Sequence, residues 1–263
     1  MSEQAVEALA AERALALDLA GSLTAAEWAT QSDCAGWRVQ DVFAHMAAVA
    51  HGICDPASMA RGGTDDAEAN AEVGVDERRG WSSADVLAEY EQWSETLLGV
   101  FAGMQKEPSA STVIPLGNLG SHPLHILANA IVFDHYCHLR HDLVAPGGPL
   151  TRSQLPSDDF RLTPTMEWML GGLPQMCSAA MQGLDRPLVL SFGGSGGGTW
   201  TLAPGSPLIT VTEGSESATA ATVRSTAHDF VQWGTKRRDW RASCTVVGDT
   251  AYAAAILDGI NVI

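Results

Sequence analysis

Leu127-Ala128-Asn129-Ala130-Ile131-Val132-Phe133-Asp134-His135-Tyr136-Cys137-His138-Leu139-Arg140-His141-Asp142-Leu143 is the stretch on which the reading of this chain turns. Leu127, Ile131, Asp134 and His138 follow one another at helical spacing and so share one face. The face begins apolar, which points it at a core, and then continues as a carboxylate and an imidazole. Burying an unpartnered polar group costs roughly 2–7 kcal/mol, and a charge more. A divalent cation removes that cost by taking lone pairs from both, and helix positions four apart can aim at one centre. A third donor must come from another element. His45 is the best placed, just after Val42 and Phe43 at the border of an apolar stripe. Two imidazoles and one carboxylate leave a coordination position open, as catalytic zinc and non-haem iron sites do. Spacing alone leaves two alternatives standing: a histidine hydrogen-bonded in a core, or an exposed helix pair, with His135, His141 and Asp142 crowding the same turns. Cys137 points away from that face and reads as core packing.

Working outward, the same periodicity recurs through the first half. Residues 3–20 place Val6, Ala10, Ala14 and Leu17 on one stripe. Thr24-Ala25-Ala26-Glu27 is a capping box. A second helix follows Gly36-Trp37, with Val39, Val42, Phe43 and Met46 as its apolar face. A third starts at Ser82 or Ser83 and carries Val86, Leu87, Tyr90, Trp93, Leu97 and Phe101. The fourth runs from about Leu124 to Asp142, after a Pro/Gly-containing loop from Pro108 to Pro123. Residues 52–80 lose periodicity, are rich in Gly, Asp and Glu, and read as a mobile acidic connection. Four long amphipathic helices predict a bundle over residues 1–150.

The segment from Val144 to Pro156 has the Pro, Gly and polar content of a linker. Residues 157–263 change pattern: a helix around 164–182, β-like runs at 187–192, 199–203, 208–212 and 242–247, and helical stretches near 226–233 and 249–257. The mixture predicts a small α+β domain, making the chain α+β overall. The run Gly193 to Gly198 lacks the Gly-Lys-Ser/Thr ending of a phosphate loop and precedes a strand-like Thr199-Trp200-Thr201-Leu202, so it reads as a hairpin connection.

Hydrophobic residues are 46% and charged residues 17% of 263, a globular balance. The formal charge of −16 argues against nucleic acid, which needs a concentrated basic face. No apolar run is long enough to span a bilayer, and Met1-Ser2-Glu3-Gln4 is unlike a signal peptide, so a cytoplasmic location and no membrane partner are expected. Five scattered cysteines without a CxxC pair fit free thiols in a reducing compartment.

Leu23-Thr24-Ala25-Ala26-Glu27-Trp28, then Ser32-Asp33-Cys34-Ala35-Gly36-Trp37-Arg38-Val39-Gln40-Asp41-Val42 and on to His45, resembles the N-terminal domain of the mycothiol-dependent maleylpyruvate isomerase family, a DinB-like four-helix group. The resemblance continues through Phe133 to Leu143. More weakly, Ala221-Thr222-Val223, Trp233 to Arg238, Val247-Gly248-Asp249 and Ala254 to Leu257 are similar to the family's second, sterol-carrier-like domain. The resemblance implies a metal, usually zinc, on a helix-two histidine and a Glu-x-x-x-His pair, which fall here on His45, Asp134 and His138. Asp134 stands where the family has Glu, and the acid expected three residues after the histidine stands four on, at Asp142, with His141 in its place. Arg237 corresponds loosely to a basic residue of the second domain, where it could pair with a substrate carboxylate.

The implied activity is that of a metal-dependent enzyme using a low-molecular-weight thiol, by resemblance mycothiol, for isomerisation or S-transfer on a small electrophilic organic substrate. The alternative is a non-catalytic ligand-binding or regulatory protein with a degraded metal site, its ligand held near Trp200, Trp233 and Trp240. The sequence leaves the oligomeric state open.

Overall fold

The computed structural model describes residues 3–58, 63–215 and 218–263. The chain divides into two compact units, Met1–Gly117 with Ser121–Pro156, and Asn118–Gly120 with Ser157–Ile263. No described helix is long and apolar enough to cross a membrane.

The first unit is helical. Its long elements are α1 (Glu3–Gly21), α3 (Val39–Cys54), α5 (Ser83–Met104) and α6 (Leu127–Cys137), with the short α2 (Ala25–Trp28) and α4 (Ala67–Asp76) between them. Side-chain caps set the starts: Thr24 and Glu27 form the expected capping box of α2, and Ser82 accepts from the Asp85 amide at the head of α5. At α3 the Asp41 carboxylate reaches back to the Arg38 amide, 2.8 Å away. The apolar face expected of α3 is fully buried, Val39, Val42, Phe43 and Met46 alike. Phe43 meets Trp28 at 4.9 Å and Tyr90 of α5 at 6.2 Å between ring centroids.

Two expectations for this unit need correction. The buried side of α1 is Ala5, Ala8, Leu9, Glu12, Ala16 and Leu19, a rotation away from the stripe through Val6, Ala10, Ala14 and Leu17. A buried ion pair explains it, because Glu12 accepts from both terminal nitrogens of Arg140 at 2.8 and 2.9 Å. The acidic 52–80 segment is no mobile connection where it is described; residues 59–62 lie outside the described residues. It contains α4, capped by the Asp66 side chain. This helix lacks an apolar stripe because it meets α3 through Gly74, where an added Cβ would sit 2.9 Å from that of Ala48, and through buried Val75. Its charges are spent on ion pairs: Arg79 reaches Glu72, Asp76 and Asp41. In the Pro108–Pro123 loop, β1 (Val113–Pro115) pairs antiparallel with β2 (Ser121–Pro123).

The fourth helix is helical over the expected range but changes winding. Leu124–Ile126 is a 3-10 turn, α6 follows, and His138–Leu143 is a π-helical turn, closed by the Val144 amide donating to the Leu139 carbonyl five residues back at 3.1 Å.

The second unit is a five-stranded sheet with helices. Its strands are β3 (Leu188–Gly193), β4 (Gly198–Ala203), β5 (Thr210–Glu213), β6 (Ala221–Thr226) and β7 (Thr245–Gly248), in the order β5-β4-β3-β6-β7. Only β3 and β6 run parallel. The glycine run joins β3 to β4 as a hairpin, with Gly194 and Gly196 at φ of 77° and 66°. The expected strand list lacks β6, which lies inside the sheet between β3 and β7; it is short, and only Ala221 and Val223 of its six residues are buried. The helix expected at 164–182 begins earlier, as α7 (Asp159–Met176) capped by Asp158, and α8 (Ser178–Met181) follows. Then come α9 (Ala227–Gly234) and α10 (Thr250–Leu257). Phe230 stacks on Phe192 and tilts against Trp233, both at 4.7 Å between centroids, so Trp233 is core; Trp200 lies 5.8 Å from Phe192.

Candidate metal centre

Within the helical unit, α3 delivers His45, the last turn of α6 delivers Asp134, and the first residue of the π turn is His138. One ligand atom from each lies within 4.8 Å of the others. His45 Nε2 is 2.9 Å and His138 Nε2 3.5 Å from the same oxygen, Asp134 Oδ1. Tetrahedral bonds of about 2.0–2.2 Å separate nitrogen and oxygen ligands by about 3.3–3.6 Å, so the three donors need only small adjustments to share a cation. The two histidines are more than nine-tenths buried.

The electrostatics favour a cation. Burial works against the charge of Asp134, but His45 and His138 outweigh it and hold the carboxyl well below the usual carboxylate range. Among the described residues its close partners are three imidazoles, His45, His135 and His138, and no lysine or arginine. Among the described residues, His45 Nδ1 is buried without a hydrogen bond, and Asp134 Oδ2 has only the looser contact of His135 Nδ1 at 3.4 Å. Burial lowers His138's basicity, and the neighbouring Asp134, Asp142 and Cys34 more than compensate, so its pKa is raised well above the ordinary value. A divalent ion would replace that proton as the counter-charge. The donor set therefore fits a metal of the zinc type.

Behind the donors stands a second layer. His138 Nδ1 is 2.7 Å from Asp142 Oδ2. A carboxylate can only accept, so Nδ1 carries a proton; a cation that displaced the proton on Nε2 would meet that nitrogen's lone pair, the usual arrangement behind a metal-bound imidazole. Asp142 stands four positions on, the spacing at which helical side chains are neighbours, and the π turn keeps it beside His138. His141, at the third position, instead packs edge-on to Tyr136. His135 is turned to other work: Nδ1 donates to the Ile131 carbonyl at 3.0 Å, and Nε2 accepts from the buried Tyr90 hydroxyl at 3.0 Å.

Two residues at the site were not singled out by spacing. Trp37 lies against His45 and His138, with centroids 5.1 and 6.1 Å away, and its Nε1 donates to Glu72 of α4 at 2.7 Å. Cys34 brings Sγ to 3.8 Å from His138 Nδ1. Neither shares a helix with the other site residues, so helical periodicity carried no signal for them. Beside Cys34, burial and then the charge of Asp142 push the Asp33 carboxyl up. Arg237, expected at a substrate carboxylate, is an exposed side chain of the α+β unit. Cys137 is buried, as core packing requires.

The class this defines is a helix bundle with an interior histidine–carboxylate–histidine cluster, carried on one chain with an α+β unit. Residues 9–141 match the mycothiol maleylpyruvate isomerase N-terminal domain family, and the chain belongs to that family. Two crystal structures resemble it over nearly its whole length. One, of the mycothiol-dependent maleylpyruvate isomerase, has a TM-score of 0.58 and 16% identity. The other, of a histidine-to-alanine mutant of that enzyme, has a TM-score of 0.56 and 14% identity. Each comparison covers 94% of this chain and 92% of that chain, and at such identity the likeness establishes the fold. Among curated proteins, none matches this chain.

Proposed function

We propose that the chain is an enzyme that uses a low-molecular-weight thiol, mycothiol, to isomerise or S-transfer onto a small electrophilic organic substrate. In this reading His45, Asp134 and His138 hold a divalent cation of the zinc class. The observation that carries it is the convergence of one ligand atom from each of these residues to within 4.8 Å. Membership of the family supports the choice of thiol. A cation held there would favour the deprotonated form of a thiol at its open position, and the thiolate is the nucleophile.

The chain's own residues do the rest. Two neutral imidazoles and one carboxylate leave one net positive charge on a dication, which a single thiolate neutralises. Asp142 keeps the His138 proton on Nδ1 and so keeps Nε2 available. Trp37 gives the cluster an aromatic wall. Five free cysteines support a reducing, cytoplasmic setting. Arg237, exposed on the α+β unit, is the candidate to pair with a substrate carboxylate.

Isothermal titration with zinc tests it, on full-length protein purified without chelator. The expected result is one tight equivalent for the wild type, lost in His45→Ala, together with thiol-dependent turnover that falls with it. A wild type without zinc affinity would sink the proposal and favour a non-catalytic ligand-binding protein.

A further inference from the structure

The first cluster uses one edge of the His138 ring. On the other edge, one ligand atom from each of Cys34, His138 and Asp142 also lies within 4.8 Å of the others. We infer that these three residues form a second cation position, back to back with the first and sharing His138 as a bridge.

The placement of Cys34 is fixed by its backbone. Asp33 N–H donates to the Asp142 carbonyl at 3.0 Å, tying the loop to the π turn. Cys34 N–H donates to Ser32 Oγ at 3.2 Å, and Gln31 Nε2 donates to the Cys34 carbonyl at 2.8 Å. With the loop held at both ends, Sγ rests 3.8 Å from His138 Nδ1, and Asp142 Oδ2 rests 2.7 Å from the same nitrogen. Zinc bonds of about 2.3 Å to sulfur and about 2.0–2.2 Å to nitrogen and oxygen require Oδ2 to draw back from Nδ1 by under about 1 Å, while Sγ is already at a suitable spacing. Cys34 is half-buried, which leaves a route in from solvent.

A thiolate, an imidazole and a carboxylate select late divalent ions such as zinc, cobalt or nickel over magnesium or calcium. Filling the position releases two protons to solvent, from the Cys34 thiol and from His138 Nδ1, and makes the ring a bridging imidazolate. The second ion therefore binds more weakly than the first. It also removes the hydrogen bond by which Asp142 orients His138.

Cobalt supplies the test. Full-length protein is given one equivalent of zinc, then titrated with cobalt(II) while near-ultraviolet thiolate-to-cobalt charge transfer is followed. The expected result is a charge-transfer band that saturates near one further equivalent in the wild type and is absent in Cys34→Ser. Alkylation of Cys34, read by mass spectrometry, should slow about tenfold over the same titration, because a metal-bound thiolate is a blocked nucleophile. This second readout uses only wild-type protein, so it stands even if the variant folds poorly. A wild type without the band and with unprotected Cys34 overturns the inference, as does an undiminished band in Cys34→Ser. Failure of the zinc equivalent to bind would instead overturn the proposed function, and the Cys34 readouts would still report on this position.

Discussion

The two units are held together by different physics. Every buried Asp, Glu, His and Arg among the described residues lies in the helical unit, where Glu12 pairs with Arg140, Arg78 with Glu89, and His45 with Asp134. In the α+β unit the interior is apolar, built on Phe192, Phe230 and Trp233, and strong ion pairs such as Arg241–Asp258 lie on the surface. Buried charge is costly unless paired and contributes little net stability. The donor cluster sits in the unit that holds this buried charge.

The largest effects should separate the units by how they fail. Arg140→Met leaves Glu12 as an uncompensated buried charge and should destabilise the helical unit by about 3–5 kcal/mol. Adding Glu12→Leu should recover most of that loss, because an apolar pair of similar volume replaces an ion pair well. In the α+β unit, Phe230→Ala should destabilise by about 3–5 kcal/mol through an unfilled cavity, and no single partner substitution should rescue it. Urea unfolding followed separately for each unit measures both. If Arg140→Met shifts the midpoint no more than a surface substitution does, the contrast between the units is wrong.

Next in size are the donors. His138→Ala should lower zinc affinity by more than about 100-fold, since it removes a ligand outright, while Asp142→Asn should lower it about 10–100-fold by releasing the ring orientation. Isothermal titration of both variants orders the two effects. Equal losses would mean that Asp142 is itself a primary ligand. Neither substitution should move the unfolding midpoint of the α+β unit.

How much of this was legible in the sequence depended on which elements carry periodicity. The bundle helices could be read because Val39, Val42, Phe43 and Met46, or Val86, Tyr90, Leu97 and Phe101, repeat at helical spacing and are buried. His45, Asp134 and His138 stood out because polar residues continued an apolar face. What stayed hidden was made by contacts without a repeat. Gly74 docks α4 by being small, Glu12 turns α1 by pairing with an arginine 128 residues away, and β6 buries only Ala221 and Val223. The π turn has no compositional mark. Trp37 and Cys34 reach the cluster from a loop, where spacing predicts nothing about direction.

The smallest expected effect concerns acid stability. Asp41 is buried at the head of α3; burial raises its pKa, and Arg38 and Arg79 more than reverse that, leaving it below its ordinary value of 3.8. Asp258 is on the surface, and hydrogen bonds from Arg241 and Trp240 bring it to about 2. Both are depressed in the folded chain, so the unfolded chain takes up its protons first as the pH drops. Each contribution is complete above pH 3.8 and disappears as the pH falls through the folded value. They differ in screening. The exposed Asp258 pair should weaken in salt, and the Asp41 pair, whose carboxylate is buried while its arginines are partly exposed, should weaken less. Stability between pH 5 and pH 2, measured at low and high salt, should therefore fall in a more salt-sensitive part that Asp258→Asn removes and a less salt-sensitive part that Asp41→Asn removes. If salt erases the Asp41 contribution as readily as that of Asp258, the helical unit does not shelter its charges, and the division between the two units loses its physical basis.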